Sequence, residues 1–85
     1  MTKKQKLLQK LLTGSRNVRF SDVQIVVEAF GFSLARISGS HHIYVHPGVP
    51  VLINLQDVNG KAKPYQIKQF LEIVEQYNLE LENEP

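Results

Sequence analysis

The chain has 85 residues, a formal net charge of +2 and no cysteine, and 42% of its residues are hydrophobic. This length fits one domain with a small core, and the lack of cysteine excludes disulfides and thiolate metal ligands. No segment approaches the roughly 18 consecutive apolar residues of a membrane span, and the N-terminus lacks the unbroken apolar core of a signal peptide. We therefore expect a single domain over residues 1–85, located in the cytoplasm.

Charge is distributed unevenly along the chain. The charged side chains of residues 1–20 are all basic, and those of residues 71–85 are all acidic. A basic segment of this kind favours either a surface that faces a polyanion or the solvated side of a helix. The composition leaves both interpretations open.

Two amphipathic segments predict helices before the first strand. Thr2–Leu12 places leucines on one side and lysines on the other, so residues 1–20 are predicted to form a basic N-terminal helical extension. A second helix is expected to begin with a capping box between Ser21 and Gln24 and to end at Gly31. Its predicted buried stripe consists of Val23, Val26, Val27 and Phe30.

Three short β runs follow, at Phe32–Ser38, His41–His46 and Val51–Gln56. Gly39-Ser40 separates the first two and suits a type II′ hairpin, because glycine tolerates the positive φ of the first turn position. The second and third runs are separated by a turn rich in proline and glycine. The order predicts an antiparallel meander.

Alternation of polar and apolar residues assigns the faces of these strands. An open antiparallel sheet exposes one face to water, and polar residues should follow that face. The predicted water-facing residues of the second and third strands are His42, Tyr44, His46, Asn54 and Gln56. Arg36 breaks the alternation of the first strand, which predicts a bulge or a strand end there.

A third helix is predicted to begin at Pro64, which suits the first helical position because it has no N–H to donate. Its apolar residues recur at helical spacing, at Ile67, Phe70, Leu71 and Val74. The acidic tail 79–85 is expected to be frayed. The whole pattern predicts an α+β fold of order α-α-β-β-β-α, with helices on one face of a three-stranded antiparallel sheet.

All three histidines lie in residues 38–46 (SGSHHIYVH), which raises the question of metal binding. His41 and His42 are strand neighbours whose side chains point to opposite faces. His42 and His46 share a face but lie about 13 Å apart, which is too far for both to bind one ion. We therefore expect no metal site and no cofactor.

Proton transfer is the chemistry that remains for these residues. Ser40 directly precedes His41, and adjacent side chains rarely reach the geometry of a Ser–His nucleophile pair. General acid–base catalysis on RNA needs less, because the 2′-OH is the nucleophile and histidine ordinarily titrates near neutrality. The alternative at this point is a histidine of the polar surface without a catalytic role.

The string GSHHIY at Gly39–Tyr44, followed by VHP at residues 45–47, resembles the signature of the HicA toxin family. Upstream, the helix that closes on residues 31–32 (GF) is similar to the family's helix-to-strand entry. Downstream, residues 60–64 (GKAKP) and the helix after them are similar to its closing element. The resemblance extends from about residue 21 to residue 77.

The resemblance implies a double-stranded-RNA-binding-like fold, metal-independent cleavage of mRNA and a HicB-like antitoxin as partner. The family's catalytic histidine directly follows Gly-Ser and maps onto His41, which would act as general acid or base. The expected RNA contacts are Gly39, Ser40, Lys61 and Lys63. A non-catalytic RNA-binding module and a protein that only sequesters its partner remain the alternatives.

The sequence departs from the family pattern in three places. Asn54-Leu55-Gln56 stands where relatives often carry valines, proline and histidine, and Tyr65-Gln66 stands where they often carry a small pair. The basic segment before Ser21 is longer than the minimal family domain. We expect the antitoxin to cover this segment together with the His41 face.

Overall fold

Three helices and four strands make up the computed structural model, which describes residues 2–14 and 16–82. The elements are, in chain order, α1 (Lys3–Leu12), α2 (Phe20–Ala29), β1 (Ser33–Ser38), β2 (His41–His46), β3 (Val49–Val58), β4 (Lys61–Ala62) and α3 (Pro64–Gln76). The strands form one antiparallel sheet in the order β1-β2-β3-β4. The predicted α+β class and the predicted order of the helices and the three long strands are confirmed.

The short strand β4 is an addition to the three strands that were predicted. Asn59 and Gly60 have positive φ values of 53° and 81°, which turn the chain back onto the end of β3. This backbone geometry is the one that favours Asn-Gly in two-residue hairpins. The Ala62 N–H also donates to the Val18 carbonyl at 3.0 Å, and the Phe20 N–H donates to the Gly60 carbonyl at 2.9 Å. The hairpin therefore joins the start of α2 to the sheet.

The two N-terminal helices begin in different ways. α1 starts at a capping box, in which the side chains of Thr2 and Gln5 accept from each other's backbone N–H groups. α2 does not form the capping box predicted between Ser21 and Gln24, since it begins at Phe20 and its N-cap residue makes no side-chain cap bond. The backbone bond from Phe20 to the β3–β4 hairpin fixes this end of α2 instead, and Gln24 is free to act elsewhere.

α1 packs against α2 on the side of the sheet that carries the helices. Leu11 is buried in the core, and Leu7 and Leu8 are partly buried beside it. Lys10 Nζ lies 3.8 Å from Asp22 Oδ2 on α2, a surface ion pair that contributes little stability. Within the described residues, no helix has the length and apolar character needed to cross a membrane.

The core lies between the sheet and the helices. Its largest fully buried side chains are Tyr44, Phe70 and Leu55. Phe70 packs edge to face with Phe30 and Phe32, with ring centroids 5.7 and 5.8 Å apart. The predicted stripe of α2 is buried as expected, at Val23, Val26, Val27 and Phe30.

The faces of β2 are the reverse of those predicted. Tyr44 is fully buried rather than exposed to water. The ring centroid of His42 lies 4.7 Å from that of Phe20, and the rings of His46 and Phe32 lie 5.0 Å apart. The tyrosine can be buried at little cost because its hydroxyl accepts a hydrogen bond from a side chain of α2 at 3.1 Å. The alternate residues of β2 therefore project from the outward face of the sheet.

The other two long strands follow the sequence pattern more closely. In β3, Ile53 and Leu55 are buried while Asn54 is exposed, as predicted. In β1 the register shifts between Leu34 and Arg36, which confirms the predicted irregularity. The break in alternation at Arg36 is therefore a bulge in an edge strand.

The C-terminal tail, which is predicted to be frayed, packs against the rest of the domain at residues 79–82, where the structure describes it. Leu79 and Leu81 are partly buried against the core. The Glu82 N–H donates to the Ala29 carbonyl at 2.7 Å, at the end of α2. Packing of the tail against the core removes the apolar surface of these two leucines from water, which stabilises its position. Residues 83–85 of the predicted tail lie outside the described residues.

Candidate functional site on the outward sheet face

The Gly39-Ser40 hairpin places His41 at the first residue of β2. Ser38 pairs with His41 across the turn. Gly39 has a φ of +59° and Ser40 does not have a positive φ, which fits the predicted type II′ turn. A Cβ added at Gly39 would meet no atom within 4 Å, so the space beside the turn is open.

His41 projects from the outward face of the sheet and is partly exposed. Its Nδ1 lies 3.1 Å from Oδ1 of Asn54 in β3. Its Nε2 makes no hydrogen bond with any residue of the described ranges 2–14 and 16–82. One ring nitrogen is thus engaged, and the other is available to a ligand.

The strand register shows which other side chains share this face. His41 is opposed by Ser38 on one side and by Gln56 on the other. Arg36 and Asn54 occupy the adjacent row, on the two sides of β2. Directly opposed residues of antiparallel strands project from the same face, so His41 has polar neighbours and a guanidinium one row away. Sequence reasoning noted Arg36 only as a break in alternation and did not assign it to the site.

Lys61 also lies on the outward face. It pairs with Val58 of β3, and Val58 lies two residues beyond Gln56, the partner of His41. Because alternate residues of a strand share a face, Lys61 projects to the same side as His41. Arg19 opposes Lys61 in an isolated antiparallel bridge and adds a further cation beside this face.

Lys63 and Ser40 complete the set of predicted contacts at this end of the sheet. The Ser40 carbonyl accepts the Asp57 N–H at 2.9 Å, which ties the hairpin to β3 just before β4. Lys63 is the N-cap residue of α3, and its Nζ lies 5.8 Å from the centroid of the Tyr65 ring. At this distance a cation–π interaction keeps the ammonium beside the exposed Tyr65 ring at the start of the helix.

The two other histidines face the core and are held by structural contacts. His42 packs on Phe20, and its Nδ1 lies 3.3 Å from the Ser40 carbonyl. His46 accepts the Gly48 N–H at Nδ1, at 2.9 Å. In the part of the chain that the structure describes, no group of three or more His, Asp or Glu side chains could hold a metal ion.

The basic side of α1 is not continuous with the His41 face. α1 packs on α2, on the side of the sheet that carries the helices. His41 projects from the opposite side of the same sheet. A single ligand that covered both regions would therefore have to extend around the sheet.

Comparison with known families gives an independent view of the chain. A model of the family described as "HicA toxin of bacterial toxin-antitoxin" matches residues 20–75, which include all four strands. No curated protein matches the chain, and neither does any solved structure. The matched region contains His41, Arg36 and Lys61, and α1 and the packed tail lie outside it.

Proposed function

The chain belongs to the HicA toxin family, and we propose that it is an endoribonuclease that cleaves mRNA without a metal ion. The toxin role follows from the family, whereas the reaction and its residues are our proposal. His41 is the general acid–base group. The helices on one face of an antiparallel sheet support a double-stranded-RNA-binding-like fold for the domain.

RNA supplies its own nucleophile for this reaction. A ring nitrogen of His41 takes the proton of a 2′-OH, and the 2′-oxygen forms a bond to the adjacent phosphorus. The bond from phosphorus to the 5′-oxygen breaks, and the 5′-oxygen takes a proton from water. The products are a 2′,3′-cyclic phosphate and a 5′-OH. Proton transfer by a positioned side chain typically contributes about 10²–10⁴-fold in rate.

The orientation of His41 is the observation that carries the proposal. Of the three histidines, His42 and His46 pack on phenylalanine rings, and His41 alone projects from the outward face. Its Nε2 makes no hydrogen bond within the described part of the chain, so it can meet a ribose hydroxyl. A general base must come within hydrogen-bond reach of the proton that it removes.

The cations of the outward face support binding of a phosphate backbone. Arg36 and Lys61 share this face with His41, and positive charge stabilises the oxygens of the phosphate that reacts. We assign Gly39 and Ser40 to phosphate binding as well, because the open space at their turn allows close approach of the RNA backbone. Lys63 contacts phosphate from the start of α3 in this proposal.

Replacement of His41 tests the assignment directly. Purified His41→Ala should cleave RNA about 10²–10⁴-fold more slowly while its far-UV circular dichroism is unchanged. Gln56→Ala removes another polar side chain from the same face and is the matched control that should retain cleavage. Equal cleavage by His41→Ala and wild type would refute the assignment, and loss of wild-type activity in EDTA would refute the metal-free reaction.

The same assay separates the other functions. If wild type does not cleave but binds RNA with a steep dependence on salt, the protein is a binding module. If it neither cleaves nor binds RNA but forms a complex with its antitoxin, it acts only by sequestering that partner. The salt dependence matters because each phosphate contact releases condensed counterions.

We propose that a HicB-like antitoxin inhibits the toxin in the cytoplasm by covering the outward sheet face. The basic side of α1 lies across the sheet, so contact of the antitoxin with His41 does not require contact with α1. In the complex, His41 should be protected from diethyl pyrocarbonate. Full reactivity of His41 in the complex would contradict occlusion.

A further inference from the structure

We propose that Asn54 is a positioning residue that fixes the tautomer of His41 and thereby makes Nε2 the nitrogen that takes the proton. The catalytic meaning of this inference rests on the proposed function, whereas the tautomer itself does not. Asn54 lies in the segment where the chain departs from the family pattern, so the resemblance assigns it no role.

The hydrogen bond between the two side chains determines where the ring proton is. Oδ1 of an asparagine can only accept, so the Nδ1 atom that lies 3.1 Å away must carry the hydrogen. In a neutral imidazole the other nitrogen then has a free lone pair. Which nitrogen of a histidine is protonated is set by the hydrogen bond of the other, so Nε2 becomes the base.

The sheet holds the two residues in this relation. Ile43 pairs with Asn54, and His41 pairs with Gln56, so His41 and Asn54 are diagonal neighbours on one face of β2 and β3. The residues on either side of Asn54 in the chain are buried in the core, which anchors its backbone. A site built on paired strands is more exact in its geometry than one built on a loop.

The contact is compatible with every stage of the reaction. When Nε2 takes the proton from the 2′-OH, Nδ1 keeps its hydrogen and continues to donate to Asn54, because both nitrogens of an imidazolium are donors. The amide is neutral, so it orients the ring without adding a negative charge beside the phosphate. Asn54 therefore positions the base and does not touch the reacting atoms.

Nuclear magnetic resonance of the protein without RNA tests the tautomer. In ¹⁵N-histidine-labelled protein above pH 8, His41 should show a protonated Nδ1 and an unprotonated Nε2 in long-range ¹H–¹⁵N spectra. His46 is an internal reference with the opposite pattern, because its Nδ1 accepts the Gly48 N–H and must lack a hydrogen. Asn54→Ala should shift His41 toward the Nε2–H form, and Gln56→Ala should leave it unchanged.

The spectrum of wild type decides the inference. A hydrogen on Nε2 of His41 would mean that the amide donates through Nδ2 instead, and the proposal would be wrong. An unchanged tautomer in Asn54→Ala would show that another group fixes the ring. Neither result depends on cleavage, so both are distinguishable from failure of the proposed nuclease activity.

Kinetics of the same variants test the positioning role. Partners that orient metal-binding histidines typically contribute about 10–100-fold, and we expect Asn54→Ala to lower kcat by a factor of this order with little change in KM. Asn54→Asp keeps an acceptor but adds a charge that stabilises the imidazolium, so the acid limb of its pH–rate profile should move to higher pH. A profile that coincides with that of wild type would contradict contact between the two side chains.

Discussion

The turn between α2 and β1 offers a sharp test of the structure at Gly31. This residue has a φ of +94°, a region that side chains with a Cβ rarely adopt. A Cβ added there would also lie 3.0 Å from Nε2 and 3.2 Å from Cδ2 of His46. The ring cannot easily move away, because it accepts the Gly48 N–H and packs on Phe32. Gly31→Ala therefore combines backbone strain with a steric clash.

The two contributions can be separated with a second glycine. Gly14 has a φ of +76°, and a Cβ there would meet nothing within 4 Å. Left-handed backbone costs a residue with a Cβ about 1–2 kcal/mol, which is the expected loss for Gly14→Ala. Forcing an extra methyl against packed groups costs about 1–3 kcal/mol more, so Gly31→Ala should lose about 2–5 kcal/mol.

Urea unfolding followed by circular dichroism measures these losses, with all variants made in the His41→Ala background, which the proposed function predicts to be non-toxic. In a domain of this size each kcal/mol lowers Tm by about 4–8 °C, so thermal scans should give the same order. A double-mutant cycle with His46→Ala isolates the clash with the ring, since its removal should reduce the cost of Gly31→Ala toward that of Gly14→Ala and leave Glu82 Oε1, the end of a flexible side chain, 3.3 Å from the added Cβ. Equal losses at the two glycines, or a coupling energy of zero, would refute the contact.

Three further predictions concern buried or partly buried groups. Burial raises the pKa of Tyr44 above 10.0, so its contribution to stability is complete below about pH 10 and is lost as the pH rises through the folded value. Above that pH the unfolded chain binds fewer protons than the folded chain. The free energy of unfolding of wild type, measured with urea, should therefore fall by up to about 1.4 kcal/mol per pH unit more than that of Tyr44→Phe. The exposed control Tyr65→Phe should keep the wild-type dependence of this free energy on pH. Gln66 accepts a backbone N–H of β3 at 2.7 Å, so Gln66→Ala should cost about 1–3 kcal/mol of unfolding free energy, and no such loss should accompany Gln69→Ala on the exposed side of α3. Leu81→Ser should lower Tm and expose the packed tail to faster hydrogen exchange, and unchanged exchange would contradict the packing of residues 79–82.

Short-range signals in the sequence predicted most of the elements. The helices follow from the spacing of leucines and valines, and the β1–β2 hairpin follows from a glycine that accepts positive φ. The Asn59-Gly60 turn carries an equally strong signal, and it was missed because the polar loop around it lacks alternation. The packed tail was missed for a related reason: two leucines among glutamates become informative only when a core is present to receive them.

The faces of β2 required tertiary information, although part of it was present in the sequence. In HHIYVH either set of alternate residues can be taken as the apolar, inward-facing set, because histidine and tyrosine carry both apolar and polar surface. The buried pair Ile53 and Leu55 resolves this ambiguity. A β2–β3 hairpin brings Tyr44 opposite Ile53 and His42 opposite Leu55, and opposed residues share a face. Only the burial of the tyrosine hydroxyl with a partner on α2 could not be predicted.

This register has a direct consequence for the site. With the faces as first predicted, His41 would have shared the inward side with Ile43, and no ribose could have reached it. A slip by one residue reverses every side chain of a strand, so the pairing that buries Tyr44 is the same pairing that exposes His41. It also sets Asn54 diagonally across from the ring. The core and the proposed base are therefore fixed by one set of hydrogen bonds between β2 and β3, and changes on the outward face can alter the chemistry without altering the packing that orients it.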